Sequence, residues 1–111
     1  MAAPEPISRR IMLTAQLRPD MVEAYCALHR SPDPAIVEAL PAAGHRDYRI
    51  FRSGTLLVAS FDYAGNDLAA ERTRLRARPD LQDWMARTAA CQEAPDGRIW
   101  TEMDEIFRLP S

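Results

Sequence analysis

Residues Arg9 to Leu17 alternate: Ile11, Leu13, Ala15 and Leu17 fall on one side, Met12, Thr14 and Gln16 on the other. That period of two predicts a strand with one oily face. Arg18-Pro19-Asp20 reads as a turn into a helix, with Asp20 as N-cap and Glu23 three residues on, as in a capping box. The helix then carries Val22, Tyr25, Cys26 and His29 along one side and ends near Ser31, because Pro32 disfavours helix in the residue before it. Asp33-Pro34 predicts a second start, an N-cap followed by proline at the first helical position. Ile36, Val37 and Leu40 supply its apolar side, Pro41 frays its last turn and Gly44 ends it.

Two further strands are expected at Asp47 to Arg52 and Thr55 to Asp62, joined by a tight turn at Ser53-Gly54. Tyr48, Ile50 and Arg52 share one side of the first. The second is apolar on both sides (Leu56, Leu57, Val58, Ala59, Phe61), which places it centrally in a sheet. Gly65-Asn66-Asp67 opens a helix over Leu68 to Arg76, whose arginines (Arg72, Arg74, Arg76, with Arg78 beyond) read as a wet charged surface. Arg78-Pro79-Asp80 restarts the helix, with Leu81, Trp84, Met85 and Thr88 on one side. Gln92 to Arg98 is a polar loop with Pro95 and Gly97, and Ile99 to Leu109 is a last strand. The order strand, helix, strand, strand, helix, strand defines an α+β chain with the split βαβ pattern of the ferredoxin-like plait. Helices cover one side of such a sheet. Because both strand sides carry apolar residues, two sheets facing each other in a homodimer would complete it.

Composition narrows the function without choosing it. The 111 residues suit a single domain over 9–111 after a flexible Ala/Pro-rich tail at 1–8. A formal charge of -2 argues against a nucleic-acid footprint. All fourteen basic residues are arginine, so lysine Schiff-base chemistry is excluded. Cys26 and Cys91 fit no metal spacing, and Cys26 reads as a small buried hydrophobe. No signal peptide is expected from the first residues, which lack an apolar core, and no apolar run nears the roughly 18 residues that a membrane helix needs. A reduced, cytoplasmic protein is expected.

The candidate chemistry lies at Tyr25 and His29, four residues apart and so one helical turn above each other. A phenol beside an imidazole on a half-apolar surface can hold a polyol and move a proton at neutral pH. The same two residues also read as ordinary members of the core's edge. His45, after Gly44, reads as a solvent-exposed loop residue.

In its linked motifs the chain resembles the L-rhamnose mutarotase family over about Arg9 to Pro110. Tyr25-Cys26-Ala27-Leu28-His29 is similar to the family's Tyr-x-x-x-His, and Pro34 and Gly44 to the proline and glycine that follow. Tyr48-Arg49-Ile50-Phe51 resembles its Tyr-x-Ile-aromatic strand. Gln82-Asp83-Trp84 resembles its Gln-x-Trp-Trp helix start, and Glu105-Ile106-Phe107-Arg108-Leu109-Pro110 its Glu-Val-Phe-x-Leu-Pro ending. The resemblance implies a dimeric α/β barrel that interconverts the anomers of a 6-deoxy sugar without metal or cofactor. It implies His29 as proton donor and Tyr25, Tyr48 and Trp84 as sugar contacts. Two positions depart from the pattern: Met85 stands where the second tryptophan of the pair falls, and Asp33 where a tryptophan often follows the histidine. Trp100 could restore an aromatic wall, and Asp33 or a bound water could act as the base. Tyr48 and Trp84 fit packing roles as well. L-fucose is the nearest alternative sugar. A cofactor-free monooxygenase of the same barrel type, or a small-ligand sensing module without turnover, are the competing functions.

Overall fold

A computed structural model of the chain describes residues 9–94 and 97–110. The tail expected at 1–8, and Pro95 of the expected polar loop, lie outside the described residues. The elements in order are β1 (Arg9–Leu17), α1 (Val22–Arg30), α2 (Pro34–Ala42), β2 (His45–Ser53), β3 (Leu56–Tyr63), α3 (Leu68–Ala77), α4 (Gln82–Ala89), β4 (Gln92–Glu93) and β5 (Thr101–Glu102). Short 3-10 turns, Pro19–Met21 and Pro79–Leu81, lead into α1 and α4.

The sheet is antiparallel throughout. Its order is β2-β3-β1-β4, with β5 also pairing β1. β3 occupies one edge of β1 over its length, so β4 and β5 share the other. The register sets Ile11 against Phe61, Leu13 against Ala59 and Ala15 against Leu57. Directly opposed residues point to one side of a sheet, so the alternation in β1 and β3 builds a single oily surface. Ile11, Leu17, Leu57 and Phe61 are fully buried there. Full burial is worth about 1.5–3 kcal/mol for each such side chain.

Helices cover this inner side. Leu68 of α3 packs with Ile11, Leu13, Ala59, Phe61 and Tyr63. Tyr25 of α1 packs with Ala15, Leu17, Leu57 and Cys91. Ala39 and Ala43 at the end of α2 meet Leu75 and Leu81 in a separate helix-to-helix cluster. Among the described residues no element covers the outer side of the sheet: Phe51 is 56% exposed and Leu56 38%, with Met12 and Val58 half-buried.

Several sequence expectations are corrected. Asp20 does not cap α1; it sits inside the 3-10 turn, Met21 takes the N-cap position, and no side chain bonds there. Pro19 starts that turn, which delays the helix past Asp20. Asp33 does cap α2, accepting from Ala35 N at 2.9 Å. The helix runs through Pro41 to Ala42, and Gly44 follows with φ +79°, where a side chain would collide with the Ala64 carbonyl. Cys26 is half-buried rather than buried.

β2 begins at His45, two residues earlier than expected, and contains a bulge between Arg46 and Arg49 with Asp47 at φ +52°. An extra residue in one strand lets two positions three apart keep the same side. His45 opposes Tyr63 and Ile50 opposes Ala59, so both lie on the inner side, and Tyr48 joins them in packing against the Phe61 cluster.

The last strand is the largest correction. Ile99 to Leu109 was expected to be continuous, but only Thr101–Glu102 pairs, with a bond from Met103 N to the Met12 carbonyl beyond it. Gln92–Glu93, expected in the loop, pairs with Leu17 and Gln16. From Asp104 onward no strand forms, and Ile106, Phe107 and Leu109 are 94%, 75% and 74% exposed. Alternation needs a neighbouring backbone to become a strand. The described part of this chain offers none there.

Candidate functional site

Four elements bring the site residues together on the inner side of the sheet. The stripe Val22-Tyr25-Leu28 seats α1 on β1 and β3 and buries Tyr25 to 4% exposure. His29, one turn on, is half-buried, and its ring lies 4.3 Å from that of Tyr25, tilted by 36°. His29 Nδ1 is 2.8 Å from the Tyr25 carbonyl oxygen. A carbonyl can only accept, so Nδ1 carries the hydrogen. In the neutral ring, Nε2 is then the free basic nitrogen; in the cation it is a donor. The helix backbone thus sets the tautomer.

Trp84 of α4 is 7% exposed and meets His29 edge-on at 5.1 Å, with the Arg87 guanidinium 5.9 Å from its ring centre. Tyr48 comes from the bulged part of β2 and stacks on Phe61 at 5.3 Å. Trp100, just before β5, is half-buried and packs against both inner clusters, the one holding Tyr25 and the one against which Tyr48 lies. All five sequence candidates, Tyr25, His29, Tyr48, Trp84 and Trp100, therefore border one region between the helices and the sheet.

Burial pushes both phenols up, and Tyr48 adds to the effect on Tyr25, so neither ionises near neutrality. They remain O–H groups able to donate and to accept. Neither hydroxyl makes a hydrogen bond to a described residue, nor does His29 Nε2 or the Trp84 indole nitrogen. Neither phenol oxygen is among the enclosed atoms left without a partner, so both stay open to solvent or to a ligand. Two phenols and an imidazole nitrogen, all free, form a polar set within aromatic walls, suited to a small neutral polyol.

Two residues of the sequence reading have other engagements. The Asp33 carboxylate is engaged at the start of α2, and Met85 packs against Ala39, Ala43, Leu75 and Leu81. Three other residues enter the site. His45, expected in a solvent-exposed loop, is 4% exposed and stacks on Phe61 at 4.4 Å, its Nδ1 donating to the Ala43 carbonyl at 3.1 Å. Burial lowers its pKa, and Arg72 acts in the same direction. Arg72, expected on a wet surface, is half-buried and interacts electrostatically with Tyr48. Gln92, opposite Leu17 on the inner side, is 4% exposed, with Nε2 enclosed and unpartnered. The spacing Leu68-Arg72-Leu75 could have flagged Arg72, because it follows an apolar helix stripe. No comparable signal marks Gln92 or His45, since both depend on pairings outside the expected strands.

The architecture is that of the ferredoxin-like α+β plait found in dimeric α/β barrels, with Tyr25, His29, Tyr48, Trp84 and Trp100 gathered beneath its helices. The sequence profile of the L-rhamnose mutarotase family matches residues 10–109, so the chain belongs to that family, whose members are isomerases acting on a carbohydrate. A search of curated proteins by sequence finds no match. Among solved structures, the L-rhamnose mutarotase of Formosa agariphila is similar with a TM-score of 0.71 and 21% identity, covering 93% of this chain and 100% of that one. A NIPSNAP family protein from Agrobacterium tumefaciens reaches 0.64 at 17% identity, covering 93% and 88%. The tetracenomycin F2 cyclase of Streptomyces glaucescens reaches 0.61 at 20%, covering 92% and 99%. At these identities the neighbours speak to the fold alone.

Proposed function

We propose that this chain interconverts the α and β anomers of L-rhamnose, with His29 as the proton-transferring group. The observation that carries the reading is the pinned His29 ring: Nδ1 tied to the Tyr25 carbonyl, Nε2 free, between Tyr25 and Trp84.

In the reaction, Nε2–H of the imidazolium protonates the ring oxygen O5 while the C1–O5 bond breaks. The anomeric hydroxyl loses its proton, and its electron pair forms the aldehyde C=O. In this reading that proton leaves to water, while Asp33 Oδ1 accepts from Ala35 N at the start of α2. Rotation about C1–C2 presents the opposite side of the aldehyde, and the same transfers in reverse close the ring. Acid–base help of this kind is worth about 10²–10⁴-fold. The Tyr25 and Tyr48 hydroxyls hold the sugar's hydroxyls, and Trp84 and Trp100 line its C–H surface.

The reading includes a homodimer formed through the open side of the sheet. Phe51, Leu56, Val58 and Met12 supply apolar surface there, and Ile106, Phe107 and Leu109 leave the chain with their apolar side chains uncovered.

The test is anomer exchange by saturation-transfer NMR, with L-rhamnose and L-fucose side by side. Enzyme-dependent transfer between the α and β anomeric protons of L-rhamnose, exceeding that of L-fucose, is expected. Faster exchange of L-fucose would reassign the sugar. No acceleration of either would remove the mutarotase reading.

A further inference from the structure

Arg72 lies four residues after Leu68 and three before Leu75, both buried. Residues at that spacing share one side of a helix. Leu68 enters the cluster of Ile11, Phe61 and Tyr63, against which Tyr48 and Trp100 pack. Arg72 therefore points from α3 toward the inner side of the sheet, and its charge is felt by Tyr48, Glu102 and His45.

Among the described residues the guanidinium has no ion-pair or hydrogen-bond partner. Arg9, Arg10, Arg30, Arg49, Arg74, Arg78, Arg87 and Arg108 each pair with a carboxylate. Glu102, the acid whose charge acts on Arg72, lies 3.8 Å from Arg9, and Glu71, its neighbour along α3, binds Arg74 at 2.8 Å. Arg72 itself makes neither an ion pair nor a hydrogen bond with a described residue. An unpaired cation that is partly desolvated is unfavourable, whereas an apolar side chain would suit this stripe better.

We propose that Arg72 is a substrate-binding residue that sets which sugars the site accepts, its planar N–H fork donating to two adjacent ring hydroxyls at the Tyr48 end of the site. This inference rests on the mutarotase reading. The rigid fork suits two oxygens held side by side, as a vicinal diol holds them. A neutral diol also leaves the local charge as it is, with Glu102 the acid facing Arg72 from the sheet edge and His45 neutral beside it. Tyr48 and Arg72 would then grip one end of the sugar while His29 works at the other.

The test compares wild type, Arg72→Met and Arg72→Lys in anomer exchange across a range of L-rhamnose concentrations, with melting curves for each. Arg72→Met should raise KM about 10- to 100-fold, as expected for losing charge-assisted hydrogen bonds, with kcat within about threefold. Arg72→Lys should recover part of that loss. Arg72→Met should melt no lower than wild type, since it places an apolar side chain on an apolar stripe. Removing one ring hydroxyl from the sugar should weaken wild type but not Arg72→Met, which identifies the contacted hydroxyl. An unchanged KM in Arg72→Met, or a loss tracked by a lower melting temperature, overturns the inference and leaves the mutarotase reading standing. A wild-type protein that leaves every anomer pair at its spontaneous rate overturns both.

Discussion

Tyr25→Phe removes one oxygen from a side chain that is 4% exposed. The ring keeps its packing against Ala15, Leu17, Leu57 and Cys91, and the Tyr25 carbonyl still fixes His29. The lost hydroxyl bonds nothing among the described residues, so no internal hydrogen bond is broken. Stability should stay level or rise by up to about 1 kcal/mol, because the ring keeps its packing and no hydrogen bond within the described residues is lost. Activity should move the other way. A sugar hydroxyl left facing a phenyl edge loses about 1–3 kcal/mol. At 1.4 kcal/mol per tenfold, that predicts a fall in kcat/KM of about 5- to 140-fold. Urea unfolding gives the first number and concentration-dependent NMR anomer exchange the second. A residue kept for binding rather than folding shows this opposed pair of effects. A stability loss above about 1 kcal/mol would mean that the hydroxyl anchors the core. Unchanged kcat/KM would mean that it does not meet the sugar.

Other perturbations test separate parts of the account. Gln92→Leu should stabilise the chain by about 1–3 kcal/mol, measured by urea unfolding, because it removes an enclosed amide nitrogen without a partner; a destabilised variant would contradict this. His45 is buried with its pKa lowered, so between the unfolded value near 6.5 and its lower folded value the unfolded chain binds the extra proton. Its contribution to stability is therefore complete above pH 6.5 and falls below it, by up to about 1.4 kcal/mol per pH unit. His45→Phe should flatten this part of the melting-temperature profile, and an unaltered acid limb would refute the assignment. Phe51→Asp on the open side of the sheet should convert a dimer to the 12.5 kDa monomer in light scattering; an unchanged mass would move the interface elsewhere.

The fold was legible wherever one chain segment decides its own surroundings. Strict alternation identified β1, the two-sided apolar run placed β3 inside the sheet, and Asp33-Pro34 marked the start of α2. Tyr25 and His29 could be paired from spacing alone, because a helix brings residues four apart into contact whatever lies around it. What escaped depends on distant partners. The bulge at Asp47 needs β3 as its reference, and it is the bulge that draws His45 inward. Ile99 to Leu109 alternates like a strand, but a strand needs a neighbouring backbone, and the described residues supply one only at Thr101–Glu102. Arg72 was hidden for a different reason: four alternating arginines read as solvated charge, and only the stripe through Leu68 and Leu75 separates this one from the rest.

If a free imidazole nitrogen of His29 moves the proton that opens and closes the sugar ring, removing that ring must stop enzyme-dependent exchange. The most direct measurement is the rate of α-to-β exchange of L-rhamnose with wild type and with His29→Ala, alongside the melting curve of each. The account predicts that His29→Ala folds, with a melting temperature within a few degrees of wild type, and that exchange returns to the spontaneous rate. Exchange near the wild-type rate in a folded His29→Ala protein would contradict it.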